Sequence, residues 1–194
     1  MKKTKIIFIL LLTALFPLTG RAQKVGFKTN LIHDAILNPN LGVEIGIAPK
    51  WTLDITGQMN LWTIDGHKWK HWLAQPEARY WFCERFAGHF LGLHALGGQF
   101  NVGNLRNSVK FLGTDFSKLT DRRYQGWGAG VGIGYGYAWP LSKHWSIEAE
   151  IGIGWVYTRS DSYPCATCGN KIDKKKVHNY VGPTKEAVSI VYVF

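Results

Sequence analysis

Gly126-Trp127-Gly128-Ala129-Gly130-Val131-Gly132-Ile133-Gly134-Tyr135-Gly136-Tyr137-Ala138-Trp139 sets a glycine at every second place from 126 to 136, with an apolar or aromatic side chain between them. A period of two belongs to a β-strand, whose side chains alternate between faces. One face of this strand is apolar and the other almost bare. Residues 145–158 repeat the alternation: Trp145, Ile147, Ala149, Ile151, Ile153, Trp155 and Tyr157 stand against Ser146, Glu148, Glu150, Gly152, Gly154, Val156 and Thr158. That pattern fits a barrel wall, apolar outside and small or polar inside. Residues 185–194 obey the same rule, with Val188, Ile190, Tyr192 and Phe194 on the apolar face. A closing aromatic residue is expected of the last strand of an outer-membrane barrel.

Five more segments carry the pattern towards the N-terminus. Val25, Phe27, Thr29 and Leu31 oppose Gly26, Lys28 and Asn30, and Leu41, Val43, Ile45 and Ile47 oppose Gly42, Glu44, Gly46 and Ala48. Trp51, Leu53, Ile55 and Met59 then oppose Thr52, Asp54, Thr56, Gln58 and Asn60. A fourth strand over 72–82 turns Gln75, Glu77 and Arg79 inward. A fifth and weaker one, about 89–101, sets Leu91, Leu93 and Ala95 against Gly92, His94 and Leu96. The connections alternate in length: short at 49–50, 83–88 and 140–144, longer at 34–40, 63–71, 102–124 and 159–183. Short turns at one end and long loops at the other are the mark of outer-membrane barrels. That connectivity predicts two aromatic girdles, Trp51, Phe82, Trp139 and Trp145 at the turn end and Trp62, Trp72, Trp127, Trp155 and Tyr157 at the loop end. The expected fold is all-β: an eight-stranded, antiparallel, up-and-down transmembrane β-barrel.

The start of the chain agrees with export. Lys2, Lys3 and Lys5 precede an apolar run over 6–18, and Gly20 and Ala22 supply the small residues of a cleavage site, so residues 1–22 read as a signal peptide removed before Gln23. About 13 residues is too short for a membrane-spanning helix, which needs roughly 20. Residues 23–194 then form one barrel domain. Removal of four basic residues and no acidic one takes the net charge from +10 to +6. An exported protein is not expected to bind nucleic acid, and the phosphates of lipopolysaccharide are the nearer anionic neighbour. Outer-membrane localisation and a monomer are expected.

Eight strands enclose a lumen that side chains fill, so an open pore is not expected. Lys28, Glu44, Asp54, Glu77, Arg79, His94, Glu148 and Glu150 face inward and predict a polar network, since charges in a narrow interior must pair. A gated ion path or a ligand-binding lumen is the alternative use of the same residues. Cys165 and Cys168, in the longest loop, read as a local disulfide rather than a redox pair or half a zinc site, leaving Cys83 alone in a turn. Two loops are basic: Arg106, Lys110, Arg122 and Arg123 in one, Lys171, Lys174, Lys175 and Lys176 in the other. They read as a solvated surface or as contacts to lipopolysaccharide or to a cell-surface protein partner. A lipid A-modifying enzyme would need a nucleophile and base within reach of each other. His33, Asp34, His67, His71, His178 and Ser162 lie on the loop side in no diagnostic spacing, so neither catalysis, metal nor cofactor is expected.

Several stretches also resemble a known family. Residues 25–31 (VGFKTNL), 38–44 (NPNLGVE), 70–82 (KHWLAQPEARYWF) and 88–92 (GHFLG) are similar to the domain of unknown function 3575, the segment QPEARYW being the most specific. The resemblance covers essentially the whole chain after the leader. It implies an outer-membrane barrel of Bacteroides-like bacteria and, through neighbouring genes for fimbria-type proteins, a role in surface assembly or adhesion. It brings no catalytic residues, and the cysteine pair is not a feature of the family. The function expected is that of a small structural or interaction protein whose external loops meet a surface partner or lipopolysaccharide.

Overall fold

A computed structural model of the chain describes residues 25–64, 67–103, 110–111, 114–115, 122–164 and 170–194. The proposed signal peptide, Arg106, Cys165 and Cys168 lie outside the described residues. Eight principal strands follow one another: β1 (Val25–Asn30), β2 (Asn40–Ala48), β3 (Trp51–Asn60), β4 (His67–Trp81), β5 (Gly88–Gly103), β6 (Arg123–Pro140), β7 (Trp145–Tyr163) and β8 (Asp173–Val193). All neighbours are antiparallel, in the order β3-β2-β1-β8-β7-β6-β5-β4, and β4 pairs with β3 to close the ring. The join of β1 and β8 is made by Gly26 opposite Val193 through Asn30 opposite Ser189. The chain is thus an all-β, eight-stranded antiparallel ring, as its alternation predicts.

The strands lengthen steadily along the chain, from 6 residues in β1 to 21 in β8, so the wall is low on one side and high on the other. This corrects the long loop expected over 159–183. β7 continues to Tyr163, β8 begins at Asp173, and the two form a ladder from Trp145 opposite Tyr192 to Ser162 opposite Asp173. β6 supports the same extension, with Tyr163 opposite Arg123. The expected loop over 102–124 likewise holds a two-residue hairpin, Lys110–Phe111 against Thr114–Asp115. Leu31 leaves the first strand for a single helical turn, α1 (Leu31–Ala35), capped by the Asn30 side chain, which accepts from the Ile32 N–H at 3.1 Å.

Inward and outward faces follow the alternation. Outside, Leu93, Ile133, Ile151 and Ile153 are 60–63 % exposed, whereas Glu44, Thr52 and Asp54 inside are 0 % exposed. Two aromatic bands ring the wall. At the turn end, Tyr192 touches Trp145 and Phe194, each at 4.9 Å, Phe194 touches Phe27 at 5.6 Å, and Trp51 meets Tyr80 at 5.1 Å. At the loop end Trp127 meets Tyr157 at 5.7 Å, and Tyr157 meets Trp155 at 6.5 Å.

The row of glycines in β6 makes room for what fills the ring. A Cβ at Gly132 would lie 2.5 Å from His94 Nε2, at Gly134 2.6 Å from Glu150 Oε1, and at Gly136 2.7 Å from Phe90 Cε1. Only a bare backbone lets β6 pass behind these three side chains. The turn end is closed by an apolar floor. Phe86, from the turn between β4 and β5, is held at φ 63° and packs with Val191 and Val193, while Trp81 packs against Phe90 at a tilt, ring centres 4.7 Å apart.

Candidate functional site

Above this floor lies a layer of ions. Every member of the predicted lumen set faces the interior, and seven of the eight meet in one cluster. Arg79 comes from β4 and reaches across the ring: its Nε donates to Glu77 Oε1 at 2.9 Å, its Nη1 to Glu44 Oε2 at 2.8 Å and Glu148 Oε2 at 3.0 Å, and its Nη2 to Glu150 Oε2 at 2.7 Å. Asp54 Oδ2 stands 3.3 Å from the same Nη2. Lys28, from β1, pairs with Glu44 at 2.5 Å, Glu148 at 3.3 Å and Asp54 at 3.4 Å. Phe90 lies under the Arg79 guanidinium, 4.5 Å from ring centre to Cζ, so the planar cation is stacked below and hydrogen-bonded around its edge. His94 stands opposite Glu77 in the β4–β5 ladder, at the edge of the ions, and bonds Thr184 Oγ1 through Nε2 at 2.8 Å.

Lys185 belongs to the cluster although the sequence reading left it out. It pairs with Glu77, and reaches Glu150 at 3.3 Å and Asp54 at 3.8 Å. Its signal was available, because Lys185 shares the parity of Ser189 and Val191. Thr184 was not legible in that way. β8 carries a bulge here: Gly152 opposes Lys185, and Ile153 opposes Pro183. The extra residue lets Thr184 bond His94 while its neighbour Lys185 enters the ion layer. Thr52, inward by its parity, and Trp81 join the cluster from outside the charged set. Trp81 Nε1 donates to Thr52 Oγ1 at 2.9 Å, and Thr52 donates to Glu44 Oε1 at 2.5 Å, tying the ions to the floor.

Above the ions the interior changes character. A cavity of about 100 Å³ is bordered by Asp54, Gln58, Gln75, Lys185 and Glu186. Gln75 crosses the ring to donate to the Thr184 carbonyl at 3.1 Å. Towards the loop end a larger cavity of about 300 Å³ is lined by Gln58, His71, Leu73, Leu96, Phe100 and Val156 among others. Gln58 and Leu73 border both, so the two spaces adjoin.

The basic residues of the two loops are partly brought together. Arg123 lies over the Tyr163 ring with its Cζ 4.0 Å from the centre, and Lys171 is 6.0 Å from that centre and 2.6 Å from Asp161 Oδ2. The hydrogen bond to Asp161 and its charge raise the Lys171 pKa above the ordinary lysine value. Arg122 and Lys176 are exposed. Lys110, Lys174 and Lys175 fall in strands, their side chains outside the description. Of the loop-side residues weighed for catalysis, Asp34 is engaged structurally, accepting from Thr29 Oγ1 at 2.7 Å and Asn40 Nδ2 at 2.9 Å. His33 Nε2 lies 3.7 Å from Glu186, and His71 lines the upper cavity. Cys83 is an exposed free thiol in the turn after β4. Among the described residues no group of three His, Cys, Asp or Glu side chains is arranged to hold a metal ion.

No curated protein and no solved structure matches the chain. A family model does, over residues 6–194, under the description "Protein of unknown function (DUF3575)". The chain accordingly belongs to the DUF3575 family.

Proposed function

We propose that the protein is an exported outer-membrane barrel that acts as a structural and interaction scaffold, holding its high wall out to lipopolysaccharide or to a cell-surface partner. The inversion of its two surfaces carries this reading. Ile133 on the outside is 61 % exposed and Glu44 on the inside 0 % exposed, the reverse of a water-soluble domain. A lipid environment accounts for both, since it covers the apolar belt and leaves aromatic bands at its two boundaries. The role is non-catalytic, and the ion layer over an apolar floor argues against free diffusion through the ring.

The extended tip of β7 and β8, with Arg123, Lys171 and Tyr163, is the part offered to anionic groups or to a protein. Two measurements test the scaffold. Folded protein in isolated outer membranes should migrate faster on gels before heating than after, and protease added to intact cells should cut near residues 164–172. Replacing 161–175 by Asn-Gly, a two-residue turn suited to an antiparallel pair, should keep the heat-shifted band and abolish binding to lipopolysaccharide or to the partner. Unchanged binding would remove the tip from the proposal, and an unshifted, water-soluble protein would remove the membrane. Conductance of the purified barrel in a planar bilayer checks the sealed lumen, with steady open-pore current as the contrary result.

A further inference from the structure

On the scaffold reading above, we propose that the upper part of β8 is a docking edge for an extended segment of another protein. The segment adds alongside Val177, Asn179 and Val181 as an antiparallel strand and is acidic towards its C-terminal end. β8 runs from Asp173 to Val193, but β1 pairs with it only from Ser189 to Val193. Just above β1 the Asn30 side chain stands in for a neighbouring strand, donating to the Glu186 carbonyl at 2.9 Å and accepting from the Val188 N–H at 3.2 Å. Higher up, β8 has β7 on one side and no strand on the other among the described residues. The opposite border of the high wall is capped by the chain itself, where Thr63 and Ile64 fold back and pair with Lys68 and His67 of β4.

The bulge decides which backbone groups are open. Below it, even-numbered residues of β8 face β1: the Phe194 N–H donates to the Val25 carbonyl and the Val188 N–H to Asn30, while the Val193 N–H turns to the His144 carbonyl beside β7. The extra residue at Thr184 exchanges the two parities. The His178 carbonyl accordingly faces β7 and accepts from Thr158 Oγ1 at 3.0 Å. Val177, Asn179 and Val181 then turn their N–H and C=O groups away from β7, where water or another chain must meet them. Pro183, with no N–H, ends this edge below. Val181 lies opposite Trp155 and Val177 opposite Arg159, so the edge begins at the loop-end aromatic band and rises beyond the apolar belt. Val181 is 68 % exposed and Val177 48 %.

Direction and charge name the occupant. A strand continuing the line of β1 runs antiparallel to β8, as all neighbours in the ring do, and its C-terminal end reaches the head of β8. That head reads Lys174-Lys175-Lys176, and Glu186 stands at the foot. Carboxylates late in the incoming strand are therefore matched, and lysines there are not. Residues bonded directly to Val177 and Val181 share their outer face, so apolar side chains belong at those places. A second copy in the same membrane, related by an axis along the membrane normal, would bring its β8 in the parallel sense with lysines beside lysines.

The test uses the folded full chain in phosphatidylcholine nanodiscs and a fluorescein-labelled peptide, Thr-Val-Thr-Val-Thr-Val-Thr-Asp-Glu-Asp, read by fluorescence anisotropy against empty nanodiscs. Saturable binding is expected, at least tenfold tighter than for the same peptide ending in Lys-Lys-Lys. N-methylation of the valine amides, which face β8, should abolish binding, and N-methylation of the threonine amides, which face away, should leave it within about twofold. Asn179→Pro removes an N–H that β7 does not use, so the heat-shifted band should persist while the peptide binds at least tenfold more weakly; Asn179→Ala should bind as wild type does. Absence of saturable binding, equal binding of the two N-methylated peptides, or a lysine-ended peptide bound as tightly would each overturn the proposal. Should Asn179→Pro fail to fold, the pair of N-methylated peptides decides the matter. Dimers of the free protein that Asn179→Pro dissolves would give the edge to a second copy and overturn it as well. Binding of lipopolysaccharide without the peptide would sink the docking edge and leave the scaffold standing, whereas an unshifted, water-soluble protein would remove the scaffold itself.

Discussion

Arg79 has five N–H donors in a rigid fork, and here the fork is filled from several strands at once, with Glu44, Glu77, Glu148 and Glu150 as acceptors. Removing one member of a buried ion cluster strands its partners, at a cost of about 3–5 kcal/mol. Arg79→Met should therefore lower the unfolding free energy read from urea titration by about 3–5 kcal/mol, with a lower midpoint, and a midpoint equal to wild type would show that the cluster is not a structural keystone. The exposed pair of Lys171 and Asp161 is the contrast: Lys171→Ala should leave the midpoint where it is. Glycines separate in the same way. A Cβ at Gly92 would lie 2.7 Å from the Glu77 Cδ, whose carboxylate is pinned by Arg79 and Lys185, whereas a Cβ at Gly57 meets nothing within 4 Å. Gly92→Ala should cost about 1–3 kcal/mol by overpacking, and Gly57→Ala should be close to neutral in the same unfolding experiment. At this scale much was legible: parity alone turned Lys28, Glu44, Asp54, Glu77, Arg79, Glu148 and Glu150 inward. Which of them touch was not legible, because a contact across a ring depends on tilt and stagger that no single strand encodes.

An element's extent and register are not written in its side-chain pattern alone. The alternation of apolar residues stops near Thr158, so residues 159–183 read as a loop, yet the ladder continues, with Arg159 opposite both Trp127 and Val177. Backbone pairing needs no apolar face. Beyond the belt nothing enforces one, and the strand signal disappears from the side chains while the strand goes on. The bulge at Thr184 was hidden for a related reason, since it changes the count of residues without changing their type. It also makes an uneven pair of deletions. Removing Thr184 leaves Pro183 opposite Ile153 and Lys185 opposite Gly152, so the ring should still fold, with the loss of the His94 contact. Removing Val188 should shift every preceding residue of β8 to the wrong face. A heat-shifted band from the first deletion and none from the second is the expected result. Equal behaviour of the two would mean that the β7–β8 register is not set where the bulge places it.

The molecule as a whole is a ring whose apolar side is out, and one outward charge tests what surrounds it. Ile133 sits midway along β6, 61 % exposed. In lipid, Ile133→Lys should destabilise folding by about 2–4 kcal/mol, the range for a lysine at the midplane of a barrel wall. The same change in water would be neutral or helpful, so folding titrations into phospholipid vesicles give a sign as well as a size. The closing seam is also buttressed by one residue from mid-chain. Phe86, swung into the ring by its positive φ, packs with Val191 of β8, and a Cβ on Gly26 of β1 would be 3.2 Å from its ring edge. It lies over the seam where the first strand meets the eighth. The β4–β5 hairpin thus lends a buried aromatic contact to the seam between the first strand and the eighth, so the two ends of the chain are held together in part by a residue far from both.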